Sequence, residues 1–372
     1  VPVLVGPTAA STANLGSAGA RGSLSRTGFP CAAGIDLDPD TYLNTLKETH
    51  MTKRYDENKF TLAHLREVAE RCSNWGRWGP DDEAGTLNFI GPQEVIAASG
   101  LVKQGRVFSL GLNFDRDGPQ KGLWGNRYNP IHVMLATGTD AVAGNQDAGG
   151  LRFADDAVSM PLQCGTQWDA LGHIFYDDKM WNGYDARLVD TNGAQKNGIE
   201  KVKDRMVGRG VLLDVARHLK RSSLDDGEAI TIADLEATAK AQGVEIRRGD
   251  FVIVRTGHME RCLAGGEWGG YAGGAAPGLS FETAEWIHKK EIAAICTDTW
   301  GCEVRPNETD DCTQPWHWVV IPKIGITMGE IFFLKDLAED CAKDRVYEFM
   351  FVAPPLPITR AVGSPINPMA IK

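Results

Sequence analysis

Three apolar runs constrain this chain more than anything else in it: Gly208-Arg-Gly-Val-Leu-Leu-Asp-Val215, Gly249-Asp-Phe-Val-Ile-Val-Arg-Thr256 and Ile292-Ala-Ala-Ile-Cys-Thr-Asp298. None alternates polar with apolar residues, so each predicts a strand covered on both faces, as in sheets with a parallel core. Helical stretches separate them. Thr231 is placed to cap a helix running through Ala241, with Asp234 in its first turn, and Pro277-Gly-Leu-Ser280 introduces another over residues 281–290. Strand, helix, strand, helix, strand predicts an α/β fold: a mixed, partly parallel β-sheet core flanked by helices.

The flanking segments are read by the same rules. Residues 1–50 are rich in Ala, Gly and Ser, with Arg21 and Arg26 and no acid before Asp36. They are expected to be a flexible or loosely packed N-terminal extension, similar in composition to an organelle transit peptide. Residues 51–345 are expected to form a single catalytic domain and residues 346–372 a C-terminal tail. Leu62, Leu65 and Val68 have helical period, and Gly91-Pro92 precedes a second helix over 93–102 with Val95, Ile96 and Leu101 inward. Strands are expected over 106–114 and 131–135, on either side of a charged loop and Trp124. The glycine-rich stretch 265–278 lacks the Gly-Lys-Ser/Thr ending of a phosphate loop, so it is expected to be a mobile surface loop, a candidate lid.

Composition narrows the partners. Of 372 residues, 39 are Lys or Arg and 49 are Asp or Glu, a net charge of -10 that argues against nucleic acid and anionic membranes. No run of 18 apolar residues is present to span a bilayer. The eight cysteines form no Cys-x-x-Cys pair, which points to free thiols in a reducing, cytoplasmic setting. A small soluble substrate is the expected partner.

Chemistry concentrates in two stretches. In Gln163-Cys-Gly-Thr-Gln-Trp-Asp-Ala-Leu-Gly-His173, residues Gln163, Gln167 and Asp169 share parity, so an extended segment sends all three to one face. Gly165 leaves a gap for a ligand to approach the backbone, and a bend at Ala170-Leu171-Gly172 brings in His173. An acid, two amides and an imidazole fit an oxygen-rich metal or hydrolytic site. They fit equally a polar strand edge with a turn-capping Asp and a hydrogen-bonded His. Cys164 has the opposite parity and reads as core. The second stretch holds His317 between Trp316 and Trp318, then Glu330 ahead of an apolar run. Taken alone, these are a core imidazole and a solvated charge.

Together the two stretches resemble the metal-dependent cyclase-like hydrolases, the group of bacterial kynurenine formamidases and isatin hydrolases. That family carries His-x-Gly-Thr-His-x-Asp-x-Pro-x-His. Here Gly165, Thr166, Asp169 and His173 match, Gln163 and Gln167 replace two metal-binding histidines, and Leu171 replaces the proline. Arg255-Thr-Gly257, His317 and Glu330 extend the likeness over about residues 75 to 340. The resemblance implies a divalent metal site completed by Asp169, His317 and Glu330, and with Gln163 and Gln167 as ligands the harder donor set argues for one ion, manganese or magnesium competing with zinc, unless the glutamines orient the substrate instead. It implies His173 as general acid and base, Thr166 as a catalytic hydrogen-bond donor, Trp124 and Trp168 as substrate contacts, and a homo-oligomer. The reaction implied is hydrolysis of an amide, formamide, cyclic imide or lactone. A lyase or dehydratase on the same scaffold, or a metal-free binding relative, is the alternative; no Gly-x-Ser-x-Gly supports a serine hydrolase. Two carboxylates brought together away from water also call for a cation, unless one takes a proton.

Overall fold

The computed structural model of the chain describes residues 59–266 and 268–372; residues 1–50, expected as an extension, lie outside the described residues. In chain order the strands that matter here are β1 (Val107–Ser109), β2 (Ile131–Ala136), β3 (Asp155–Ser159), β4 (Gln167–Asp169), β5 (Val207–Asp214), β6 (Phe251–Arg255), β7 (Ala294–Thr297), β8 (Thr327–Glu330), β9 (Glu348–Val352), β10 (Gly363–Pro365) and β11 (Met369–Ile371). Nine of them form one sheet in the order β1-β11-β9-β5-β6-β7-β8-β4-β10. The run from β5 to β8 is parallel throughout, and antiparallel pairs extend it on both sides. The mixed, partly parallel sheet predicted from the apolar runs is therefore present.

Burial explains why those runs do not alternate. Val211, Leu213, Val252, Val254 and Ile295 point into one core, while Leu212, Phe251, Ile253 and Cys296 point into another. Both faces are dry, so apolar residues follow one another through the middle of each run. Helices α1 (Leu62–Arg71), α2 (Pro92–Ser99), α3 (Ile232–Gln242), α4 (Thr283–Lys290), α5 (Pro315–Val319) and α6 (Lys335–Asp344) complete the frame used below. The start of α3 is a reciprocal cap: Asp234 N donates to Thr231 Oγ1 at 3.2 Å, and Thr231 N donates to the Asp234 carboxylate at 3.0 Å. Its end is Gly243 in the left-handed conformation, φ 69°.

Several expectations are corrected. Residues 346–372 are no tail, because β9, β10 and β11 are sheet strands, and the Lys372 ammonium is buried between Asp340 (2.9 Å) and Asp344 (2.8 Å). In α2, Ile96 faces solvent and Ala98 is the buried residue. Within 265–278, Tyr271, Ala272 and Ala276 pack against Trp300 and Ile331, so this stretch is anchored and not a free surface loop. Strand β2 pairs with β3 alone, as a ribbon outside the main sheet. No helix among the described residues is long and apolar enough to cross a membrane.

Candidate functional site

Strand register builds half of the site. Strands β8 and β4 are antiparallel, with Glu330 opposite Gln167 and Met328 opposite Asp169. Side chains alternate along a strand, so Gln167 and Asp169 leave one face and Glu330 joins them from across the ladder. Gly329 permits the approach: a Cβ there would lie 2.7 Å from the Phe332 ring, 2.8 Å from Cys296 Sγ and 2.9 Å from the Trp168 ring. Beyond Glu330 the backbone turns through Ile331 at φ 61°, a strained conformation for a β-branched residue that costs about 1–3 kcal/mol. Two bonds hold it there. Ile331 N donates to Thr299 O at 3.0 Å, and Thr166 Oγ1 donates to Ile331 O at 2.6 Å.

The other half comes from α5. Pro315 opens this short helix, and the Glu303 carboxylate accepts from its first free amides, Trp316 N (3.3 Å) and His317 N (3.1 Å). The same carboxylate binds His317 Nδ1, which turns Nε2 toward Glu330 Oε1 at 3.2 Å. Ligand atoms of Asp169, His317 and Glu330 thus fall within 4.8 Å of one another, all on buried residues. Burial, followed by the charge of Asp169, pushes the Glu330 carboxyl up to about 7. For His317 burial opposes the charged form, yet its bonds to Glu303 and Glu330 outweigh that and lift it to about 10. His173 Nε2 stands 3.9 Å from Asp169 Oδ2, with a fifth of its side chain exposed. Burial lowers its pKa against the opposing pull of Asp169, which keeps the ring neutral near pH 7.

This donor set suits a divalent cation. It offers one imidazole nitrogen and two carboxylates, and a carboxylate fixes the remote ring nitrogen as in many metal centres. Gln167 adds a second sign. Its Nε2 donates to Asp169 (3.2 Å) and Glu330 (2.9 Å), while its buried Oε1 has no partner among the described residues. Half a turn of the amide would aim that oxygen at two carboxylates, which is repulsive on its own and favourable with a cation between them.

The expected site residues divide clearly. Asp169, His173, His317 and Glu330 line one small chamber with Trp124, and Gln167 bonds to two of them. Gln163 does not join them: it sits in a turn closed by Cys164 N to Pro161 O (3.2 Å), with its amide against Gly363. Parity counts only where the chain is extended, and here that is Gln167–Asp169. Trp168 is likewise no substrate contact, being fully buried among Phe251, Phe332 and Phe351 with Nε1 bonded to Ala353 O at 2.7 Å. The Thr166 hydroxyl is engaged twice, accepting from Leu112 N at 2.9 Å besides its bond to Ile331, so it positions Glu330. The gap at Gly165 is filled by the Phe114 ring, 2.6 Å from where a Cβ would stand. Cys164 is buried, and burial pushes its thiol up to about 11.

Sequence reasoning missed Glu303, Arg127, Trp300 and Gln314. Glu303 follows a cysteine in a stretch with no recognisable spacing. The other three are loop residues brought to the chamber only by the fold. Trp300 packs beside Trp124 at 5.3 Å between ring centroids, and the Arg305 guanidinium lies over both rings. The chamber's free space is about 20 Å³, room for roughly one water.

Comparison with known proteins bears on the family and the fold. The Cyclase family profile matches residues 78–304. A solved structure described as a novel cyclase is 38% identical, with a TM-score of 0.75, covering 82% of this chain and 99% of its own. Isatin hydrolase A from Labrenzia aggregata superimposes with a TM-score of 0.53 at 18% identity, over 75% of this chain and 99% of its own. The Ralstonia solanacearum enzyme of the same name gives 0.54 at 18%, over 76% and 97%. At that identity the likeness to the isatin hydrolases is one of fold. Among curated proteins, none matches the chain.

Proposed function

Because this chain belongs to the cyclase family, we propose that it is a metal-dependent hydrolase opening an amide, formamide, cyclic imide or lactone bond in a small molecule. The observation that carries the proposal is the convergence of Asp169, His317 and Glu330, from three separate segments, beside a neutral His173. Asp169, His317 and Glu330 would hold the ion, and manganese or zinc suits one nitrogen and two carboxylates better than magnesium does. When bound, such an ion supplies Lewis acidity that polarises a carbonyl and makes water a better nucleophile.

The chain's own residues do the rest. His173 accepts a proton from the attacking water at Nε2 as the new C–O bond forms. It returns that proton to the leaving nitrogen or oxygen as the old bond breaks. Glu303 holds His317 in the orientation that faces the acids, and Thr166 fixes the turn that aims Glu330. Trp124 and Trp300 form an apolar wall that orders the substrate and limits water.

A homo-oligomer belongs to the same reading. Ile131 and Val133 share one face of the β2–β3 ribbon with Ser159 and Ala157, Leu135 lies at the bulge between Met134 and Ala136, and all three apolar side chains are exposed. A two-stranded ribbon standing alone is marginal in water, so a second copy of the chain is its natural cover.

The test begins with elemental analysis of protein purified without chelator, then removal and return of zinc, manganese and magnesium. A panel of formanilides, cyclic imides and lactones is assayed at each step. About one equivalent of ion, and turnover that is lost and regained with it, is the expected result. Protein that binds no divalent ion and hydrolyses none of these with any of the three rules the reading out.

A further inference from the structure

Arg127 stands at a wall shared by two spaces. Inward it lines the chamber with Asp169, His173, His317 and Glu330. Outward it lines an open cleft of about 540 Å³ on the loop before β2. The charged residues of that cleft are Arg116, Lys121 and Arg127, with no acid among its lining, on a chain whose net charge is -10. Arg116 has Asp117 beside it at 3.5 Å, both almost fully exposed. Lys121 and Arg127 have no ion-pair partner among the described residues. Among the described residues the Arg127 guanidinium makes one long hydrogen bond, from Nη1 to Gln163 O at 3.4 Å.

A half-buried guanidinium with no carboxylate at ion-pair distance among the described residues is unusual, since its five donors are matched best by a planar anion. Apart from the His317 imidazolium, which is held between Glu303 and Glu330, Arg127 is the cation among the described residues that line the inner chamber, whose other groups are acids, the His173 imidazole, an amide and apolar side chains. An acidic site of this kind repels a free anion, so a positive group beside it discriminates sharply between charged and neutral substrates. Trp124 and Trp300, on the same chamber, give the body of such a substrate an aromatic surface to lie on.

We infer that Arg127 is a specificity-determining residue: it binds a carboxylate carried by the substrate away from the bond being broken, with the aromatic wall holding the part between. The substrate class is thus an aromatic or cyclic acyl compound bearing a free carboxylate. This inference rests on the hydrolase reading for the bond broken, but the recognition step stands separately and is measurable without turnover.

Two experiments on the full-length, metal-loaded protein test it. In the first, benzoate and its neutral isostere benzamide are titrated into the unaltered protein and into Arg127→Gln and Arg127→Lys by calorimetry. Benzoate is expected to bind at least tenfold more tightly than benzamide. Arg127→Gln should abolish that preference, and Arg127→Lys, which keeps the charge but loses the fork, should restore part of it. Benzoate binding equally well to Arg127→Gln would mean that the anion sits on the metal, and would overturn the proposal. In the second, kcat and KM are compared for formanilide and 3-formamidobenzoate. Arg127→Gln should lower kcat/KM for the carboxylated compound at least tenfold more than for the neutral one, mainly through KM. Equal losses on both compounds would make Arg127 structural and overturn the assignment. If neither compound is hydrolysed by the unaltered protein, the hydrolase reading fails for this bond class, and the benzoate titration still decides whether Arg127 recognises the anion.

Discussion

Glu303 performs three tasks with one carboxylate: it caps α5 through two backbone amides, binds His317 Nδ1, and thereby sets which nitrogen faces Glu330. Replacing it by Gln keeps an acceptor for the helix but removes the charge behind the imidazole. Glu303→Gln is therefore expected to weaken metal affinity about 10–100-fold while the protein stays folded, as chelator competition and circular dichroism would measure. His173 sits beside the ligands without joining them, so His173→Ala should retain its metal and lose about 10²–10⁴ in kcat. Full metal content with undiminished turnover would remove His173 from the reaction. Thr166→Val makes the opposite point, because it strands Leu112 N and Ile331 O in the interior. A loss of about 1–3 kcal/mol per stranded group is expected, with Thr166→Ser recovering most of it in denaturant titrations. At this scale the sequence disclosed the residues whose chemistry is intrinsic, Asp169, His173, His317 and Glu330. It did not disclose Glu303, whose importance comes from a hydrogen bond across the fold. It misplaced Gln163 because parity was applied through a turn, and Trp168 because the resemblance was followed where parity, opposite to that of Gln167 and Asp169, already sends the ring to the other face.

Among the elements, the β2–β3 ribbon is the one whose own side chains do not account for it. Ile131, Val133 and Leu135 are 55%, 48% and 70% exposed, too apolar a row for a strand meant to face water. The double substitution Val133→Lys with Leu135→Lys removes no buried contact within the chain. It should leave thermal stability of the isolated subunit nearly unchanged while splitting the assembly, which sedimentation velocity would register as a fall in mass. An unaltered protein that sediments as a monomer would instead discard the ribbon as an interface between copies. The elements legible in sequence were those buried on both faces, β5, β6 and β7, since their composition records their surroundings directly. The last three strands were not, because each is short and Pro354, Pro355 and Pro357 lie between β9 and β10. Their membership of the sheet depends on partners more than a hundred residues away, as with Glu348 opposite Val211.

For the molecule as a whole, acid is a sharper probe than heat, because one histidine outside the chamber lining is buried in its neutral form. His258, at the start of the helix His258–Ala264, is 3% exposed and stacks on Tyr271 with ring centroids 5.2 Å apart. Among the described residues its Nε2 has no partner, and the groups facing Nδ1 are the Arg261 guanidinium at 2.7 Å and the Asp226 carboxylate at 3.4 Å. Burial, aided by the charge of Arg261, lowers its pKa to about 3, against an ordinary value near 6.5 once the chain unfolds. Between those two values the unfolded chain takes up a proton that the folded chain refuses, so stability falls as pH falls. The contribution is intact above about pH 6.5, declines by up to about 1.4 kcal/mol per pH unit below it, and is spent near pH 3. His258→Phe preserves the stacked ring and removes the proton, at the loss of the Arg261 bond. Urea midpoints from pH 7 to pH 4 should thus fall more steeply for the unaltered protein than for His258→Phe, even if the variant is the less stable of the two at pH 7. Parallel curves would mean that His258 titrates alike in both states, and the acid sensitivity would then belong to other groups.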